Sequence, residues 1–166
     1  MKRLKCYIIL GTIFVIITGT LFHFVYEWSG YNYILGFFFP VNESTWEHMK
    51  LIFIPMLLYY FFIQQKLEKE YPCVTSAYLS GILVGTFLIP VLFYTYSGIL
   101  GHNYPILDIA TFVASVILAF IFIYQKTLSC KMQSYSFLLY ICVLIVAGCF
   151  IVFTYSAPGI ALFVEP

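Results

Sequence analysis

Five apolar runs, each near the length that carries an α-helix through a bilayer, divide this chain at about residues 6–28, 45–65, 74–96, 106–125 and 135–155. A helix rises about 1.5 Å per residue, so about 20 apolar residues cross roughly 30 Å of hydrocarbon. Of 166 residues, 63% are hydrophobic and 9% charged, whereas a soluble domain is about 25% charged. So small a chain cannot hide that much apolar surface, and what stays exposed must face lipid. The sequence therefore predicts an all-α polytopic membrane helix bundle, a single integral membrane domain over 1–166 with five transmembrane helices. Residues 31–39 are apolar too, but nine residues between Gly30 and Pro40 cannot span, so they predict an interfacial or re-entrant segment.

The start, Met1-Lys2-Arg3-Leu4-Lys5, has the charge of a signal peptide. Its apolar stretch is longer than a signal core, no small-x-small cleavage site follows cleanly, and His23 and Glu27 lie near its far end, so a permanent helix is expected. Orientation follows from Lys and Arg, which gather on cytoplasmic loops. Lys2, Arg3 and Lys5 precede helix one, Lys66 and Lys69 follow helix two, and Lys126 and Lys131 follow helix four. Five alternating helices put all of them on one side, giving a cytoplasmic N-terminus and an outer C-terminus at the cell membrane. The net charge of +1 and the absence of a basic cluster beyond the start leave no footprint for nucleic acid.

Of the five cysteines, Cys6, Cys73 and Cys130 fall at cytoplasmic ends and Cys142 and Cys149 inside helix five. None lies in an outer loop, so no disulfide framework is expected and the five read as small buried hydrophobes. Ala77, Gly81 and Gly85 have the small-xxx-small spacing that lets membrane helices approach closely. They mark a bundle seam or a contact for a homo-oligomer. Ala110, Ala114 and Ser115 offer a second small face. Pro55 and Pro90 interrupt the hydrogen-bond ladders of helices two and three.

With this orientation, all three histidines and most carboxylates fall on the outer half. His23 and Glu27 end helix one, Glu43, Glu47, His48 and Lys50 open helix two, and His102 and Asp108 bracket the start of helix four. Leu51 to Gln65 is an uncharged helix about 22 Å long, short of the hydrocarbon thickness, so the turn from Glu47 to Lys50 lies near the membrane boundary. Ionisable groups at that depth face the bundle interior, pair with one another and point to a functional site. His23, His48, His102, Asp108 and Glu27 are candidate metal ligands. Imidazole and carboxylate are the ligand set of catalytic zinc, where three protein ligands leave a fourth position for water. Glu43 and Glu47 are candidate general bases, and Ser44 and Lys50 candidates to stabilise charge. The spacing gives no HExxH, HxxxH or HxH, and the ligands would come from separate segments. Each residue also has a plainer role. Ser44-Thr45-Trp46-Glu47 reads as a capping box, Lys50 can snorkel or neutralise Glu43 or Glu47, His23 can be a hydrogen-bonded bundle histidine, His102 an exposed turn residue, and Trp28 and Trp46 interfacial anchors.

The string Phe39-Pro40-Val41-Asn42-Glu43-Ser44-Thr45-Trp46-Glu47-His48-Met49-Lys50, with His23 and Glu27 upstream, resembles a family of small bacterial multi-pass membrane proteins of unknown function. That resemblance implies a multi-pass fold and a bacterial membrane, and transfers no mechanism. A looser similarity is to ceramidase and progestin-receptor-like membrane hydrolases, which hold zinc among helices with His, Asp, Glu and Ser. This chain has fewer helices and lacks their paired histidines, so the similarity is one of analogy.

Three functions remain open. A non-catalytic binding or structural role comes first, because pairing and capping account for most polar clusters in small bundles. The alternatives are a zinc-dependent hydrolase acting on a lipid or lipid-linked substrate from the outer face, and a small proton-coupled carrier acting as an oligomer. The carrier lacks an inverted repeat and polar residues along the cytoplasmic half of a path.

Overall fold

The computed structural model describes residues 2–166. Five long helices form, at Lys2–Trp28 (α1), Thr45–Leu67 (α2), Val74–Leu100 (α3), Pro105–Ser129 (α4) and Ser136–Tyr155 (α5), with short 3₁₀ turns at Leu35–Phe37, Gln133–Tyr135 and Ala161–Phe163. No strand occurs among the described residues. The boundaries follow local chemistry. Ser44 caps α2 by accepting the Glu47 amide at 3.4 Å. Gly101 ends α3 at φ 80°, where a Cβ would strain the backbone. Pro105 opens α4 at a position that has no hydrogen-bonding use for an amide.

The helices α1, α2, α3 and α4 close a ring in which each packs on the next and α4 returns to α1, while α5 lies against α3 and meets α2 through aromatic pairs such as Trp46–Phe150 and Phe53–Phe150. The expectation of five transmembrane helices is met in part: five long helices form, of which four have the length and apolar character to cross a membrane. α1, α3, α4 and α5 with its preceding turn are long and apolar enough to cross a membrane, and α2 is not among them. Its 23 residues would reach about 35 Å, so length is not the reason. Glu47, Lys50 and Lys66 lower its apolar character, and most of its side chains are buried against neighbouring helices rather than turned outward. Exposed apolar surface is supplied by residues such as Ile9, Ile13 and Ile17 on α1 and Leu144, Ile145 and Val152 on α5, and by Leu58, Phe61 and Phe62 in the second half of α2.

The small-residue face of α3 is used inside the chain. Ala77, Gly81 and Gly85 are buried, and a Cβ on Gly85 would come within 2.9 Å of Ala119 and of Ile52. That seam lets α4 and α2 approach α3 and leaves nothing of it on the outer surface for a second copy. Below it the core is aromatic: Tyr78, fully buried, packs its ring near those of Tyr59, Tyr60 and Phe120.

The cysteine expectation also fails at one pair. Cys73, just before α3, and Cys130, just after α4, are joined in a disulfide with their Cα atoms 5.3 Å apart. Cys130 adopts a left-handed conformation at φ 52° as the C-cap of α4. Sequence position put both thiols at one end of the bundle, but not within bonding reach of each other. Cys6, Cys142 and Cys149 are free.

Residues 29–44 turn back at the other end. The carbonyl of Tyr33 accepts from the Tyr155 hydroxyl at 2.9 Å, and the two rings stack at 4.4 Å. Glu47 completes only half of the expected capping box: its Oε2 accepts the amide of Val41 at 3.0 Å, while the Ser44 amide goes to Asn42 Oδ1.

Candidate metal centre in a cleft between α1, α2 and α4

His23 lies on the penultimate turn of α1, Glu43 just before the cap of α2, and His48 on its first turn. The packing of α1 on α2 brings them together. Glu43 Oε2 is 3.3 Å from His48 Nε2, and Glu43 Oε1 is 3.7 Å from His23 Nε2. The two imidazoles stack with centroids 5.3 Å apart. One ligand atom from each residue lies within 4.8 Å of the others, a set that can hold a metal ion. A tetrahedral ion with bonds of about 2.0–2.1 Å sets its ligand atoms roughly 3.3 Å apart; the two short distances here run to different oxygens of Glu43, so the groups would draw in around an ion.

The hydrogen bonding fixes which nitrogens are available. His48 Nδ1 is 3.0 Å from the carbonyl of Ser44. A carbonyl only accepts, so Nδ1 holds the proton and Nε2 is the nitrogen turned to Glu43, the arrangement that orients metal-binding histidines elsewhere. A neutral His48 would then aim a lone pair at a carboxylate. Only a proton or a cation between them relieves that contact. Two stacked imidazolium ions would repel each other, so either one proton, on His48, or one divalent ion serving both rings satisfies the cluster. With Nε2 of His48 protonated as well, its hydrogen bond holds the Glu43 carboxylate below the usual glutamate range, against the upward push of burial and with help from the charges of His48 and His23.

These three groups stand in the wall of a cleft of about 630 Å³. Asp108, in the first turn of α4, lines it as well, and Tyr96 donates a hydrogen bond to its Oδ1. Asp108 is near enough to His48 to act on it electrostatically. Glu165 lines the cleft from the far end of the chain, and its Oε1 is 3.5 Å from the Glu43 amide.

A family model, DUF6512, described as a family of unknown function, matches residues 1–166. The chain belongs to that family. No curated protein and no solved structure matches it.

The remaining candidates of this DUF6512 chain are elsewhere. Glu27 is exposed one turn beyond His23 and does not line the cleft. His102 is exposed in the loop between α3 and α4, its ring on that of Tyr104 at 4.4 Å, and it does not join the other histidines. Glu47 and Lys50 face away from the cleft. Lys50, with no exposed surface, donates to Glu47 Oε2 at 2.7 Å, Thr154 Oγ1 at 2.7 Å and the Gly36 carbonyl at 3.0 Å. All three ammonium protons are engaged, so it ties α2 to α5 and to the returning segment, and it does not snorkel. Ser44 is likewise committed to its cap. Sequence reasoning missed the placing of Glu165, whose signal is an isolated carboxylate after the apolar stretch Ile160 to Val164, and of Thr20, Thr45 and Asn103, which carry no signal that separates them from other polar residues.

Proposed function

We propose that this DUF6512 protein is a five-crossing membrane protein, N-terminus in the cytoplasm, whose outer cleft binds a divalent transition metal, zinc first, and uses it in hydrolysis. The observation that carries this is the convergence of two histidine Nε2 atoms on the two oxygens of one carboxylate inside a cleft. Two histidines and a glutamate are a ligand set of catalytic zinc, in which the open fourth position lowers the pKa of a water toward neutrality. Asp108, which lines the same cleft, would take the proton of that water, a role the sequence alone offered to Glu43 or Glu47. Glu43 moves from base to ligand in this reading. Ile52, Met56, Tyr78 and Phe120, all buried, fill the bundle below the cleft, which favours a site worked from one side over a transport path.

A second reading is favoured by the Glu43–His48 separation of 3.3 Å, which an ion pair alone explains. The cluster would then only tie α1 to the head of α2, and the protein would act without catalysis. Metal content decides between them. Elemental mass spectrometry on purified protein is expected to give near-stoichiometric zinc in wild type and loss of it in a His23→Ala, His48→Ala variant of unchanged helix content. No metal in wild type after incubation with zinc would remove the first reading and leave the second.

A further inference from the structure

The charged and imidazole groups of the cleft lie at one end. His23, Glu43, His48 and Asp108 gather where α1 ends and α2 and α4 begin, and away from them the walls are apolar, with Leu51, Ile89, Phe93 and Phe112. Two further wall residues, Phe24 on α1 and Ile109 on α4, are 41% and 65% exposed. In the five-crossing arrangement both stand near the helix ends where hydrocarbon gives way to head groups. A mouth rimmed by exposed apolar side chains between two membrane helices opens toward acyl chains rather than water.

Charge narrows what the polar end accepts. Glu43, Asp108 and Glu165 line the cleft, and among the described residues no Lys or Arg does. Lys50 is bound to Glu47 on the other side of α2. With a divalent ion in place, three carboxylates still exceed it by one charge, so an anionic head group would meet net repulsion in a medium of low dielectric. The volume of about 630 Å³ lies in the range of pockets for a single small ligand, about 300–1,000 Å³, and is too small for an entire two-chain phospholipid.

We infer that the cleft takes a single-chain amphiphile with an uncharged or cationic head, which moves in sideways from the bilayer between α1 and α4 and sets its head beside His23, Glu43 and His48. This rests on the metal-cleft reading above and names its ligand class. The test uses the full chain in phosphatidylcholine nanodiscs, titrated with three radiolabelled lauryl amphiphiles that share a chain and differ in head: monolauroyl glycerol, laurylamine and lauryl phosphate. Empty nanodiscs supply the correction for partitioning. Saturable binding is expected for the first two, with lauryl phosphate weaker by about tenfold or more. Ile109→Trp fills the mouth from its lipid side without touching the core, and is expected to weaken the first two by a similar factor. Glu165→Lys is expected to raise lauryl phosphate binding toward theirs. Helix content of each variant is checked by circular dichroism. Equal binding of all three heads, or wild-type binding by Ile109→Trp, would overturn the inference. Metal content of the same nanodiscs separates the two readings. Bound metal without saturable amphiphile defeats the amphiphile and spares the metal site, whereas charge-selective binding without metal defeats the metal site and spares the cleft as a lipid-ligand pocket.

Discussion

Lys50 is the costliest residue in this chain to leave alone in its surroundings. Its ammonium is completely buried and three acceptors surround it. Removing one partner of a buried pair strands the other, at a cost of about 3–5 kcal/mol. Lys50→Met is therefore expected to destabilise the bundle by about that amount, followed by circular dichroism during denaturation in detergent. Joint replacement, Glu47→Gln with Lys50→Met, is expected to recover much of the loss, because no charge is then stranded. A single variant as stable as wild type would mean that water reaches Glu47. The histidines differ in kind: His23 and His48 are each partly exposed to the cleft, so their replacement is expected to alter metal binding far more than stability. The charged block 43–50 is thus divided by helical phase. Glu47 and Lys50, three residues apart, share one face of α2 and build the fold, while His48, about 100° from Glu47, turns to the cleft.

At the scale of elements, the glycines of α3 and α5 make contrasting predictions. A Cβ on Gly81 would collide with the Ile123 side chain, whereas on Gly148 it would meet nothing within 4 Å. Gly81→Val is expected to cost about 1–3 kcal/mol through overpacking of the α3–α4 seam. Gly148→Ala is expected to be neutral or to gain up to about 1 kcal/mol from helix propensity. Equal thermal midpoints for the two variants would contradict the internal use of that seam. The helices themselves were legible in the sequence, since run length and absence of charge suffice to find them. The heavy burial of α2 was not, because its Leu51–Gln65 stretch reads as an apolar run like the others and only tertiary packing shows how many of its side chains turn inward. The His23–Glu43–His48 set was partly legible. The residue types and the shared end of the bundle pointed to it, but the direction of the loop carrying His102, whose ring settles on Tyr104, depends on backbone turns that spacing does not encode. Nor does spacing reveal that Cys73 and Cys130 meet, since this depends on how α3 and α4 pack side by side.

For the whole molecule, two indicators of orientation pull apart. Lys66, Lys69, Lys126 and Lys131 assign their end to the cytoplasm, yet the disulfide lies at that same end, and disulfides persist in oxidising compartments. The proposed topology gives charge precedence. A phosphatase that is active only after export, fused after Pro166, is then expected to be active. An inactive fusion would invert the molecule and place the histidine cleft inside the cell. The burial of Glu47 and Lys50 on α2 has a consequence for how such a chain is made. A helix that carries Glu47 and Lys50 gains little from partitioning into lipid by itself, so in a five-crossing protein it cannot settle as it leaves the ribosome. It must wait for α3 to arrive with its glycine face and for α5 to bring Thr154 to Lys50, which makes synthesis of the last helix the step that completes insertion of the second.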